Sequence, residues 1–303
     1  MAPTSILIIG ATGYIGRHIA LAAAAAPEVA AFALISKATA GKLERKEVLD
    51  QLRSAGVQFL EGDLYDHFSL VAALKQVSIV ISTVGYAQLS DQTKIIDAAK
   101  EAGTITRFLP SEFGLGPSEK TIEAFGDLAP IWAIKKTVLP ALIESGIPYT
   151  VVWSNCFAGY SLPGLGALGP PVADEVTVFG SGDVKGVIVD EGNIGTYAIK
   201  AALDPRAANK TVHLEPPQNV VTQNELIALA EKVRGKTYKR RTVSAEELIQ
   251  QYQTFDPSIK FLPYLNYAIW IGGDSFHHPL PEGHVSSVDL YPDVEYKSIA
   301  QLL

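Results

Sequence analysis

The first sixteen residues constrain this chain more than any other stretch. An apolar run, Ile6 to Ile9, ends at Gly10, and glycines recur at Gly13 and Gly16. An Ala/Leu-rich helical pattern, Ile19 to Ala26, follows. Strand, tight turn and helix in that order make a dinucleotide-binding turn. Gly10 turns the chain, Gly13 admits a pyrophosphate close to the backbone, and Gly16 lets helix and strand touch. Thr12, Tyr14 and Ile15 fill the turn, and the helix start offers unpaired N–H groups to phosphate.

The residue after the second strand of such a unit meets the adenosine ribose. A carboxylate there accepts from a 2′-hydroxyl, whereas a cation favours a 2′-phosphate. After Ala31–Ile35 this chain carries Ser36, Lys37 and Ala38, and Arg45 lies on the approach to the next helix. With no acid at that position, the expected cofactor is NADPH, held by Ser36 and Lys37 with Arg45 or Lys46 able to reach back. The net charge of −7 argues against nucleic acid or an anionic membrane as a partner, so a phosphate must be held by local geometry.

Strand and helix patterns then alternate. Strands are expected at 57–61, 78–83, 105–109 and 146–153, with helices at 68–75, 88–102 and 131–145, the last interrupted or kinked near Pro140. Alternation on short connections predicts an α/β fold, a Rossmann-type doubly wound parallel sheet. Ligands bind beyond the carboxyl ends of its strands. By that rule Thr83, Gly85, Asn155 and Phe157 are candidates to border the nicotinamide. Asp63 lies where a loop passes the adenine, a position equally suited to a plain turn carboxylate.

Beyond Phe157 the texture changes to Gly/Pro-rich loop, short strands and helices, including 223–234, 245–254 and 262–271. Residues 1–157 are read as an NADP-binding domain whose sheet also receives segments around 185–214. Residues 158–303 are read as a smaller α/β lobe that shapes a substrate pocket. Phe113, Tyr160, Tyr267 and His278 are its candidate substrate contacts. His277, His278 and His284 lie in a Pro-flanked loop without helical spacing or cysteine partners, a poor metal set; no metal is expected. The single cysteine, Cys156, forms no internal disulfide and fits a cytoplasmic protein and a small buried side chain. The most apolar stretch, Ile19 to Ile35, is broken by Pro27 and Glu28, too short to span a bilayer. A homodimer is the default assembly for a soluble enzyme.

Several segments together resemble one family. Gly10-Ala-Thr-Gly-Tyr-Ile-Gly16, Arg107-Phe-Leu-Pro-Ser-Glu-Phe-Gly114, Gly146-Ile-Pro-Tyr-Thr150, Ser154-Asn-Cys-Phe-Ala-Gly-Tyr160 and Leu290-Tyr-Pro-Asp-Val294 are similar to the isoflavone reductase-like group of the NmrA-like atypical short-chain dehydrogenases. That group includes phenylcoumaran benzylic ether, pinoresinol-lariciresinol and isoflavone reductases and eugenol synthases. The resemblance implies hydride transfer from NADPH to a small aromatic, often phenolic, substrate. It also implies a catalytic lysine on the helix before Gly146, which falls on Lys135 with Lys136 beside it. A Tyr-x-x-x-Lys pair occurs nowhere in the chain. A lysine near the nicotinamide's charge in a partly dry crevice has its pKa lowered toward a useful range and can take a phenol proton or hold a polar substrate group; Lys135 is also a candidate cofactor contact, at the ribose.

The chain also departs from the group. Ser36 stands where an arginine is usual, and Leu139 and Pro140 stand where two arginines follow the lysine. Two other readings accompany the reductase: a non-catalytic NADP sensor, and an NADP-bound enzyme for a non-redox step such as cyclisation, with Lys135 as acid or base.

Overall fold

The computed structural model describes residues 2–125, 130–256 and 259–303, without the side chains of residues 130–135. The chain divides into two compact units. The first comprises residues 1–113, 131–152 and 194–212, and the second residues 114–130, 153–193 and 213–303.

The first unit is built on a parallel sheet of β1 (Thr4–Ile9), β2 (Val29–Ile35), β3 (Gln58–Glu61), β4 (Ile79–Ser82) and β5 (Arg107–Leu109). Their spatial order is β3-β2-β1-β4-β5. Ile6 pairs with Ala31 on one side and Ile79 on the other. The chain thus builds outward from β1, then crosses to its other side at β4. That reversal opens the crevice where ligands of doubly wound sheets bind. β1 and β4 are central and covered on both faces, which explains their unbroken Ile/Val/Leu runs. The helix Tyr14–Ala25 buries Gly16, Ile19, Ala20 and Ala23, a stripe at helical spacing. On another part of the core, Val138 and Leu142 join Leu7, Val80 and Phe108.

Two expectations need correction. The segment 146–153 does not continue the main sheet as a full sixth strand. It makes one bridge, Tyr149 to Phe108, with the Phe108 N–H donating to the Pro148 carbonyl at 2.9 Å. Pro148 has no N–H to extend the ladder, and Thr150–Trp153 instead pairs with Lys210–His213. The buried Arg107 guanidinium fastens this region, donating to Thr150 Oγ1 at 2.8 Å and the Asp204 carbonyl at 3.3 Å. Nor does Pro140 interrupt its helix, which runs from Pro130 to Ser145. The fully buried Val138 and Leu142 flank the proline, so packing holds the helix where one backbone bond is lost.

The second unit contains two small sheets. Glu175–Phe179 pairs in parallel with Lys239–Val243. Lys185–Val189 lies between Val220–Thr222 and Cys156–Phe157. Helices Gln223–Arg234 and Ala245–Thr254 each start in a reciprocal cap, Thr222 with Glu225 and Ser244 with Glu247. The helix Phe261–Tyr267 runs into one wider turn, Ala268–Gly272. Trp270 is buried there and donates to the Gly166 carbonyl at 2.8 Å. No helix among the described residues is long and apolar enough to cross a membrane.

Candidate functional site

In the first unit the glycine turn is stitched to β4. Gly10 has φ +92°, and its carbonyl accepts from the Gly13 N–H at 2.8 Å. Thr83 closes the turn from the neighbouring strand: its N–H and its hydroxyl both donate to the Ile9 carbonyl, at 2.8 and 2.9 Å. The Thr83 hydroxyl therefore serves the turn itself. Gly13 caps the helix Tyr14–Ala25 without a side-chain bond, and its first turn carries no acid. The leading N–H groups stay free of a capping side chain, and the helix dipole favours an anion there. Thr12, Tyr14 and Ile15 are partly exposed beside this end, and Gly16 is buried beneath it.

Arg45 reaches back over the turn, donating from Nη1 to the Thr12 carbonyl at 2.9 Å. It borders a recess of about 380 Å³ with Thr12, Gly13, Tyr14 and Arg17. Arg17, four residues after Gly13, is a second cation here; its position one turn into the helix was the available signal. Beyond β2, Ser36, Lys37, Gly62 and Asp63 line a second recess of about 530 Å³. The Ser36 hydroxyl accepts from the Thr39 N–H at 3.2 Å, and Lys37 Nζ lies 3.2 Å from Glu61 Oε1. Both partners are well exposed, so the pair is weak and Lys37 can be released to a stronger anion. The Asp63 carboxylate accepts from the Tyr65 N–H at 2.9 Å, a local turn contact.

The loops after β4 and β5 are pinned together. Ser111 donates its hydroxyl to the Val84 carbonyl at 2.9 Å and its N–H to Gln92 Oε1 at 2.6 Å. Gln92 is fully buried, and nothing in its sequence surroundings marked it. Gly85 caps the short turn Tyr86–Gln88, and Phe113, partly exposed, ends this stretch. Lys135 lies on the helix Pro130–Ser145; its side chain is outside the described residues.

In the second unit Asn155 adopts φ +60°. Its N–H donates to the Gly114 carbonyl and its Nδ2 to the Leu214 carbonyl, each at 2.9 Å. Phe157 stacks on the exposed Tyr160, ring centroids 5.9 Å apart at 20°. Tyr267 is 4% exposed and meets Phe125 edge-on, so most of its ring serves the core. Cys156 is buried, and burial pushes its thiol up to about 12, which leaves it protonated and unreactive at neutral pH.

His277 and His284 of the Pro-flanked loop pack with His213 around one tryptophan. His213 Nε2 and His284 Nδ1 lie 2.7 Å apart. The Trp153 ring sits 4.9 Å from His213, 5.0 Å from His284 and 5.6 Å from His277. His278 Nε2 lies 2.9 Å from Glu215 Oε2. Among the described residues no group of three or more His, Cys, Asp or Glu side chains could hold a metal ion. Burial, with His213 and His277 beside it, pushes His284 down to about 4 from an ordinary 6.5. The unfolded chain therefore takes up a proton on His284 before the folded one does. Stability is expected to fall as pH drops from about 6.5 to about 4, and His284→Gln is expected to flatten that limb in chemical-denaturation titrations. An unchanged limb would place the proton uptake elsewhere.

A doubly wound sheet whose first helix starts uncapped under a glycine turn defines a Rossmann-type, dinucleotide-binding protein. The NmrA-like family model matches residues 3–267. Eugenol synthase 1 of Petunia hybrida is 43% identical over 99% of this chain and 97% of its own length. A phenylcoumaran benzylic ether reductase of Nicotiana tabacum is 42% identical over 99% of this chain and 97% of its own length. The leucoanthocyanidin reductase–NADPH complex of Vitis vinifera matches with a TM-score of 0.85 and 30% identity, covering 98% of this chain and 97% of that one. The chain belongs to the NmrA-like family, in its isoflavone reductase-like group.

Proposed function

We propose that this chain is an NADPH-dependent reductase of a small phenolic or related aromatic metabolite. The observation that carries this is the uncapped helix start at Gly13 with the Arg45 guanidinium bonded across the turn. In this reading residues 10–16 hold the pyrophosphate. Lys37 exchanges Glu61 for the 2′-phosphate, with Ser36 and Arg45 beside it. Thr83, Gly85, Asn155 and Phe157 border the nicotinamide. Phe113, Tyr160 and His278 meet the substrate, with the exposed edge of Tyr267. The first unit is read as the cofactor domain and the second as the substrate lobe.

NADPH, when bound, supplies the hydride. In this reading Lys135 takes the hydrogen of a phenol conjugated with a benzylic ether as the benzylic C–O bond breaks, and passes it to the departing ether oxygen; the electron-poor carbon left behind is the one that accepts hydride, and the phenolate formed regains a proton from solvent. The Petunia relative is named a eugenol synthase and the Nicotiana relative a phenylcoumaran benzylic ether reductase, and the Vitis relative forms a complex with NADPH; these favour an aromatic substrate and this cofactor over the sensor and non-redox readings.

The test is calorimetric titration with NADPH and NADH, then NADPH oxidation against phenolic, quinone-methide, enone and imine compounds. NADPH is expected to bind much more tightly than NADH. Lys135→Ala is expected to lower turnover at saturating NADPH by about 100-fold. Equal binding of the two cofactors would remove the roles of Lys37 and Arg45. Tight NADPH binding without oxidation of any compound would transfer the assignment to a sensor or a non-redox enzyme.

A further inference from the structure

The ten residues from Lys232 to Arg241 carry six cations and no acid, in a chain whose net charge is −7. Two of these cations are matched nearby. Arg240 Nη2 stands 3.6 Å from Glu231 Oε2, and its Nη1 donates to Asn224 Oδ1 at 3.0 Å. Lys236 pairs with Asp174. Arg234 donates to the Tyr238 hydroxyl at 3.0 Å, a neutral partner that leaves its charge unanswered. Arg241 has neither an ion pair nor a hydrogen bond among the described residues.

The strand pairing decides where Arg241 points. Arg241 stands beside Thr177, and Val243 beside Phe179. Side chains two apart on a strand share a face, and so do register partners. Val176 and Val178 turn to a core with Leu165, Ile227 and Ala230. Arg241, Thr177, Val243 and Phe179 turn the other way and floor a recess of about 330 Å³. Phe255, Leu262 and Pro263 form its apolar wall, with Gln251 and Asn266 as polar groups. The Gly/Pro-rich segment 163–172 closes one side. That segment is fastened: the Leu168 N–H donates to Asn266 Oδ1 at 2.8 Å, and Asn266 Nδ2 donates to the Leu168 carbonyl at 3.1 Å. The recess is therefore preformed.

Its volume falls in the range of small-molecule sites, about 300–1,000 Å³. The charged side chains around it are Arg234, Arg241 and Glu175, an excess of one positive charge. Val172 and Phe255, on its border, are 63% and 38% exposed, apolar surface that the core does not use. Charge that only guarded a strand edge against pairing would be supplied by Lys239 and Arg240; an unpaired guanidinium over a half-apolar recess goes beyond that need. None of the residues assigned above to cofactor or substrate lines this recess.

We propose that the recess is a second ligand site and takes a small aryl-alkyl carboxylate. The aromatic ring lies against Val243, Phe179 and Phe255. The carboxylate meets the Arg241 guanidinium, whose planar fork matches it, and Arg234 adds to the attraction. The proposal is independent of the reductase reading.

The probes are 3-phenylpropanoate and the neutral 3-phenylpropan-1-ol, titrated calorimetrically into the full chain with and without saturating NADP+. The wild type is expected to prefer the acid by about tenfold, the worth of a hydrogen bond to a charged group. Arg241→Gln is expected to bring that ratio close to one. Phe255→Ala is expected to weaken both probes by about fivefold and keep the ratio. Arg240→Gln, on the opposite face of the strand, is expected to change neither. Arg241, Arg240 and Phe255 are all exposed, so the variants are expected to fold, as far-UV circular dichroism reads. Equal binding of acid and alcohol by the wild type, or no binding of the acid at millimolar concentration, would overturn the proposal. So would an unchanged ratio in Arg241→Gln, the result expected if the acid bound at the candidate cofactor or substrate residues instead.

Discussion

Gly16→Val is expected to weaken NADPH binding by about 100-fold or more, roughly 3 kcal/mol. A Cβ on Gly16 would stand 2.5 Å from Thr83 Oγ1, 2.8 Å from the Gly10 carbonyl carbon and inside the Gly10 carbonyl oxygen. Those are backbone atoms of the turn and the hydroxyl that closes it, so none can step aside cheaply. The helix start must shift instead, and its N–H groups move with it. An anion held by several backbone donors tolerates such displacement poorly. Gly41→Ala is the control: a Cβ there finds its nearest neighbour at 3.6 Å and φ is ordinary, so affinity and stability are expected to match the wild type. Calorimetric NADPH affinity with a far-UV check of folding reads both. Full affinity in Gly16→Val would show that the helix start is not the phosphate site.

Phe125→Ala is expected to cost about 3–5 kcal/mol and lower Tm by roughly 10 °C. The Phe125 ring is buried, and three tyrosines meet it edge-on: Tyr252 at 5.1 Å, Tyr264 at 5.1 Å and Tyr267 at 5.0 Å. Truncation removes the ring on which all three converge and leaves a cavity. Phe125→Leu keeps most of the volume and is expected to cost about 1 kcal/mol. The Tyr264 hydroxyl has no hydrogen-bond partner among the described residues, so Tyr264→Phe is expected to stay within about 1 kcal/mol of wild type. Scanning calorimetry of the three variants reads this order. A small effect of Phe125→Ala would show that the tyrosines collapse onto one another without it.

Local signals in this chain were legible because they repeat within one element. The apolar run before Gly10, the spaced glycines and the stripe Ile19, Ala20 and Ala23 specify a strand, a turn and a helix from nearest neighbours alone. The helices 223–234 and 245–254 were readable to the residue, since a Ser or Thr followed three residues later by Glu marks the start. The parallel sheet followed from the alternation of such elements, and the cofactor class from residues close to Gly10.

What was not legible depends on partners far away in the chain. Lys239–Val243, with three basic residues in five, has no strand pattern of its own; it is a strand because Glu175–Phe179 offers it an edge. Segment 146–153 has a strand pattern yet leaves the main sheet after one bridge, because Pro148 interrupts the ladder and Lys210–His213 supplies another partner. Gln92 reads as a solvent-facing helix residue, but the loop after β5 closes over it and bonds to its side chain. Glu215 and His278 are separated by 63 positions, beyond any local periodicity. The sequence determined most of the elements and the class of ligand, since those follow from propensity and spacing within one or two turns. The tertiary structure alone decided which polar side chains share a buried site, because only folding can set the desolvation of a carboxylate such as Glu215 against the imidazoles that hold it.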